Sequence, residues 1–254
     1  MNLKRIELIL ESQLGRYLDS IYTFKYERTD FATGAGKVLQ VAGVDFIIVD
    51  DVERQVICVD EKARLTQTNR DEMPTFVFEL DYISRSYQLT QGWLFHPKQL
   101  TDRYHLITKL TTSEVTQDIY KTVYNNNLYD GVVLFTGALV RSIDKSSLIM
   151  MLTKLGLDEK RLSKHYRHHI RTIVHKHGCG SEGLAKIEGI TGVRLVEPIV
   201  NQKNKITAIR VFVDELEGRL GWIHHTFNLI ERPINLVLKD ALLEKVDGMR
   251  ILSQ

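Results

Sequence analysis

Cysteine is scarce: Cys58 and Cys179 are the only two in 254 residues, too few for a disulfide scaffold. Four prolines and the lack of any low-complexity tract argue against long disordered linkers. No apolar run approaches the roughly 20 residues that a membrane-spanning helix needs. The opening MNLKRIELILESQ brings in Glu7 and Glu11 too early for a secretory signal. A cytoplasmic protein with no membrane partner is therefore expected. The net charge of +2 leaves the chain without an overall field of one sign, so bulk charge does not define a partner.

The charge is unevenly placed, and that is more informative. Residues 1–100 hold twelve Lys and Arg against fifteen Asp and Glu, whereas residues 154–177 hold seven against two and add five histidines. An acidic site that acts on a polyanion needs basic surface elsewhere to hold it. The length suits one large α/β domain, or a core with a smaller second part.

The stretch Gly43–Ala63, GVDFIIVDDVERQVICVDEKA, concentrates the chemistry. Phe46 to Val49 and Val56 to Asp60 read as two short strands joined by a polar turn. Alternation puts Asp60 and Lys62 on one side of the second strand and Glu61 on the other. If the strands pair antiparallel, Asp45 lies across from Asp60, giving two carboxylates and an ammonium in a small volume. Two carboxylates so close repel, and a hard cation such as Mg²⁺ relieves the repulsion while keeping water in its shell. A salt-linked cluster at a solvated strand end is the simpler alternative.

These residues resemble the pattern of the PD-(D/E)XK nuclease superfamily, which includes many restriction endonucleases and DNA-repair nucleases. Asp45 matches the family's first aspartate, Asp60 its second acidic position and Lys62 its lysine, as read from VDEKA. Val44 stands where the family usually has proline, and the resemblance covers mainly residues 1 to about 110. It implies a mixed central sheet flanked by helices, with a restriction-endonuclease-like core and a C-terminal α+β extension. It also implies Mg²⁺ (Mn²⁺ as substitute) at Asp45 and Asp60, with the backbone carbonyl of Glu61 as a further ligand and Lys62 on the attacking water. A glutamate on the first core helix often assists in this family, and Glu7 or Glu11 resembles it.

Elsewhere, Leu3, Ile6, Leu10, Leu14, Tyr17 and Ile21 recur at helical spacing and predict a helix over residues 3–21. A third strand is expected over 75–80, a fourth over 103–110, a helix from Thr111 to about Tyr124 and a strand over 131–140. Helices are expected from Asp144 to Leu155 and, capped by Asp158, from Glu159 to about His177. The tight turn between them permits either a helix-turn-helix reader or an ordinary helical hairpin. On the second helix Arg161, His165, His168 or His169, and Thr172 share one ridge, and Lys164, Arg167 and Arg171 another, suited to phosphate contact or to plain solvation. Residues 178–192 read as a glycine-rich connection, 206–213 and 219–225 as a hairpin, and Pro233 to about Val246 as a final helix.

The expected organisation is a catalytic core over 1–143 and a recognition or dimerisation part over 144–254. The expected function is a Mg²⁺-dependent endonuclease on double-stranded DNA, in its most specific version a homodimeric type II restriction enzyme. A non-catalytic nucleic-acid-binding protein and a structural or interaction protein are the alternatives.

Overall fold

The computed structural model describes residues 3–29, 33–50, 54–63, 65, 75–83, 88–113, 135–217, 220–227 and 231–253, with the side chains of 3–8, 50 and 253 excluded. In chain order the elements are α1 (Leu3–Ile21), β1 (Tyr26–Arg28), α2 (Gly34–Val41), β2 (Phe46–Asp50), β3 (Gln55–Ala63), β4 (Thr75–Ile83), β5 (Leu89–Gln91), β6 (Arg103–Thr112), β7 (Phe135–Asp144) and α3 (Lys145–Lys154). A π-helical segment (Lys160–Arg167) then runs into α4 (His168–His177). It is followed by α5 (Ser181–Glu188), β8 (Val193–Val200), β9 (Ile206–Val213), β10 (Gly221–Thr226), β11 (Ile234–Lys239), α6 (Asp240–Leu243) and β12 (Arg250–Ser253).

Two compact units result, one from residues 1–73, 100–145 and 248–254, the other from 74–99 and 146–247. The chain enters and leaves each unit more than once, whereas a single boundary at 143/144 is expected from the sequence. The strand expected at 75–80 is present as β4, but it belongs to the second unit's sheet and not to that of Asp45 and Asp60. One central sheet is expected; the described residues form two sheets of six strands each.

The first unit's sheet has the order β1-β2-β3-β6-β7-β12. It is mixed, because β3 and β6 run parallel while the other neighbours are antiparallel. The apolar stripe of α1 supplies Leu10, Leu14 and Leu18, which are buried with Ile107, Leu110, Ala138 and Val140 in one core cluster. The 3–4 spacing that predicts the helix thus also selects the face it buries. The helix expected from Thr111 to Tyr124 begins in β6, which continues to Thr112, and its remainder lies outside the described residues.

The second unit's sheet, β5-β4-β11-β10-β9-β8, is antiparallel throughout. Its centre includes β11, where a helix is expected from Pro233 to Val246. Ile234, Leu236 and Leu238 alternate on one face and are fully buried, with Val237 almost as buried on the other. A strand covered on both faces satisfies all four, and only the four residues of α6 remain helical. The expected connection over 178–192 contains α5. Its Gly183 is required by close approach, since a Cβ there would lie 2.1 Å from the carbonyl oxygen of Gly178.

The α3 helix ends in a Schellman motif. The amide of Leu157 donates to the Leu152 carbonyl at 2.8 Å, that of Gly156 to Thr153 at 2.9 Å, and Gly156 takes φ +80°. Asp158 caps the following segment through a 2.7 Å bond from the Arg161 amide.

Leu18 is 1% exposed within the α1 cluster. Truncation by Leu18→Ala is expected to cost about 2–5 kcal/mol, read as a lower denaturation midpoint in urea. A loss below about 1 kcal/mol would mean that α1 is not held by this face.

Candidate functional site

Antiparallel pairing of β2 and β3 sets Phe46 opposite Val59, which places Asp45 opposite Asp60. The Asp45 amide donates to the Val59 carbonyl at 2.8 Å, so the pairing reaches Asp45 although β2 begins one residue later. One Asp45 carboxylate oxygen accepts the Glu61 amide at 2.7 Å, fixing that side chain over the end of β3. The Asp45 and Asp60 carboxyls are also close enough to share a hydrogen bond. The expected meeting of the two aspartates is therefore found.

Lys62 shares the Asp60 face, and its Nζ donates to Asp60 Oδ1 at 2.6 Å. Asp60 is only 2% exposed, while Lys62 reaches partly into solvent. Burial pushes the Asp60 carboxyl up to about 7; neighbouring Asp45 pushes the same way, and Lys62 opposes both. The cluster therefore combines an acid reluctant to ionise, a second carboxyl beside it and an ammonium that favours ionisation.

Glu61 points to the opposite face, as alternation requires. Its carboxylate accepts from Tyr22 Oη at 2.7 Å and from Arg28 Nη1 at 2.8 Å, and Arg28 also pairs with Asp19. Tyr22 accepts in turn from His105 Nδ1 at 3.2 Å, since its own proton is committed to Glu61. Burial, with Arg103 and Arg28 nearby, lowers the His105 pKa to about 3, which keeps its ring neutral. This is a structural network beneath α1. Glu61 can therefore join a metal site only through its backbone, the role expected for it.

The structure also adds residues that a motif-centred reading passes over. Tyr104 is opposite Asp60 on β6, and Ile143 is opposite Tyr104 on β7. One row further, the Asp102 amide donates to the Cys58 carbonyl at 2.9 Å, and the Lys145 amide donates to the Asp102 carbonyl at 2.8 Å. Lys145 is close enough to Asp60 and Asp102 for their charges to favour its ammonium, against a larger lowering of its pKa by burial. Its position 85 residues beyond Asp60 in sequence gives no local signal; only the strand order brings it near. Cys58 shares the row, and burial together with Asp102 pushes its thiol pKa up, against a role as thiolate.

Glu7 lies on α1, but its side chain is outside those described; Glu11 is exposed. Among the described residues no group of three or more His, Cys, Asp or Glu side chains is arranged to hold a metal ion. Among the described residues the acidic side chains at this cluster are the pair Asp45 and Asp60. Among the described residues, no helix is long and apolar enough to cross a membrane.

In the second unit, the basic helix is less open than its sequence suggests. Arg161 binds Glu215 at 2.7 Å and also contacts Tyr166, while Arg171 makes a two-pronged pair with the fully buried Asp81. Arg167 Nε lies 3.6 Å from the same carboxylate. Lys164 remains exposed. Compared with known protein families, curated proteins and solved structures, the chain matches none.

Because native Asp60 keeps its proton to about pH 7 and an unfolded aspartate loses it near pH 4, folding binds a proton between those values. That contribution to stability is present below about pH 4 and is lost as the pH rises through about 7. Denaturant titrations across this window should show the loss in the wild type and a smaller one in Asp60→Asn. An equal loss in both would assign it to other groups.

Proposed function

We propose that this protein is a divalent-metal-dependent nuclease that hydrolyses DNA phosphodiester bonds at Asp45, Asp60 and Lys62. In its most specific version it is a type II restriction endonuclease acting on duplex DNA as a homodimer. The observation that carries the reading is the placement of two carboxyls and one ammonium at a single point of a sheet, with Asp60 buried and its charged form disfavoured.

That same observation tests whether the residues suit a metal. A buried carboxyl pressed against a second one gains most from a nearby cation, and an all-oxygen donor pair suits a hard ion such as Mg²⁺, with Mn²⁺ as a substitute. Asp45 and Asp60 would hold it, with the Glu61 carbonyl as a further donor. When bound, such an ion supplies Lewis-acid polarisation of a phosphoryl oxygen.

The remaining work falls to the chain itself. The Glu61 amide holds the Asp45 carboxylate in one orientation, so this donor is pre-arranged before substrate arrives. Asp60 fixes the Lys62 ammonium, which orients the attacking water and offsets negative charge that develops on the phosphate. Burial of Asp60 keeps bulk water from screening these charges.

Purified protein is expected to cut DNA only when Mg²⁺ or Mn²⁺ is present, with Asp60→Ala and Lys62→Ala each losing at least about 100-fold in rate. Discrete fragments would identify a sequence-specific enzyme. Mg²⁺ should also raise the thermal midpoint of the wild type and leave that of Asp60→Asn unchanged. Cleavage that survives both alanine substitutions, or the absence of cleavage and of any Mg²⁺ effect on stability, would overturn the reading.

A further inference from the structure

We propose that a second ligand site lies in the unit built from residues 74–99 and 146–247, and that it takes a terminal phosphate, the phosphomonoester group of a small phosphorylated molecule or of a strand end. The inference does not rest on the nuclease reading. A cavity of about 250 Å³ is lined by Asp81, Arg167, His168, Arg171, Thr172 and His175, with Leu89 completing its wall. These residues come from β4, β5, the end of the π-helical segment and α4, all within the one unit.

The polar lining is unbalanced. Among the described residues Asp81 contributes the only carboxylate of the lining, and it already accepts from Arg171 Nε and Nη2. Opposite it stand many donors. Arg167 uses Nε on the Ser163 carbonyl at 2.9 Å, while its Nη1 and Nη2 have no hydrogen-bond partner among the described residues. Arg171 engages Asp81 and the Arg232 carbonyl through Nε and Nη2, leaving Nη1 in the same condition. The Thr172 hydroxyl and the rings of His168 and His175 also make no hydrogen bond among the described residues.

Two guanidinium groups against one carboxylate leave the cavity with a surplus positive charge, before either histidine is protonated. Planar forks of N–H donors suit the tetrahedral oxygens of phosphate, and a hydroxyl adds a further donor. The size favours a small anion or a modest phosphorylated molecule over a large apolar ligand.

Burial separates a terminal phosphate from one within a strand. The Arg167 and Arg171 side chains are only 19% and 18% exposed, whereas His168, His175 and Leu89, which line the same cavity, are exposed. A phosphodiester within a duplex carries a substituent on two of its oxygens and is held to the duplex surface. A monoester presents three unsubstituted oxygens and can enter.

Calorimetric titration of the full chain with inorganic phosphate, adenosine 5′-monophosphate and adenosine tests this directly. Phosphate and the nucleotide should bind and adenosine should not. Arg167→Gln, which leaves the Arg171 pair with Asp81 in place, should weaken binding by at least about 10-fold with an unchanged thermal midpoint. Thr172→Val should weaken it by less. An oligonucleotide duplex with 5′-phosphates should compete with the nucleotide, and the same duplex with 5′-hydroxyl ends should not. Equal competition by both duplexes would overturn the monoester assignment. No phosphate binding, equal binding of adenosine, or full affinity in a folded Arg167→Gln protein would overturn the site.

Discussion

The register between β2 and β3 is the constraint on which the first unit's chemistry depends. Pairing Phe46 with Val59 brings Asp45 to Asp60, and the Glu61 amide then locks the Asp45 carboxylate across the ladder. A slip of one residue would send Asp60 and Lys62 to the α1 side and Glu61 to the other. Phe46 and Val59, both fully buried, oppose such a slip because it would turn them out of the core. Hydrophobic burial therefore fixes the position of groups that are themselves costly to bury.

The two faces of β3 handle charge in different ways. Under α1, Glu61 is matched by Arg28 and Tyr22, and the neutral His105 ring extends the network without adding charge. On the other face Asp60 has Lys62 as its cation but also Asp45 as a like-charged neighbour, so its ionised form is not fully compensated. A compensated network stiffens a fold, whereas an uncompensated pair of carboxyls leaves electrostatic energy for an arriving cation to recover. Adjacent residues of one strand thus serve opposite ends.

Local periodicity made part of this legible. The stripe Leu10, Leu14 and Leu18 specifies both the helix and its buried side, and alternation along VDEKA correctly separates Glu61 from Asp60 and Lys62. Partners distant in sequence were not legible: Lys145 reaches the row beside Asp60 only through the pairing of β3 with β6 and β6 with β7. Residues 234–246 misled because the proline before them suits a helix start. A central strand buried on both faces, such as β11, gives up the simple alternation that would have betrayed it. In α5, Gly183 answers a close contact with Gly178 and not a need for turning, so the glycine content reads falsely as loop.

The segment from Arg161 to Arg171 shows why counting charge along a helix does not measure charge available at its surface. Arg161 goes to Glu215 and Arg171 to Asp81, partners 54 and 90 residues away in sequence. Asp81 is fully buried, and leaving it unpaired would cost far more than an exposed ion pair returns. The arginine pairing is thus first a condition of folding the second unit. The i, i+4 spacing of Arg167 and Arg171 sets both on the same side of the helix, yet one carboxylate can receive only one fork fully. Arg171 takes that place, and Arg167 Nε stands 3.6 Å from the same carboxylate while it donates to the Ser163 carbonyl. Structural demand for a counter-ion and a surplus of cation follow from the same two residues. The surplus lies in a recess of the fold, where a small anion meets more field than it would on an open helix face.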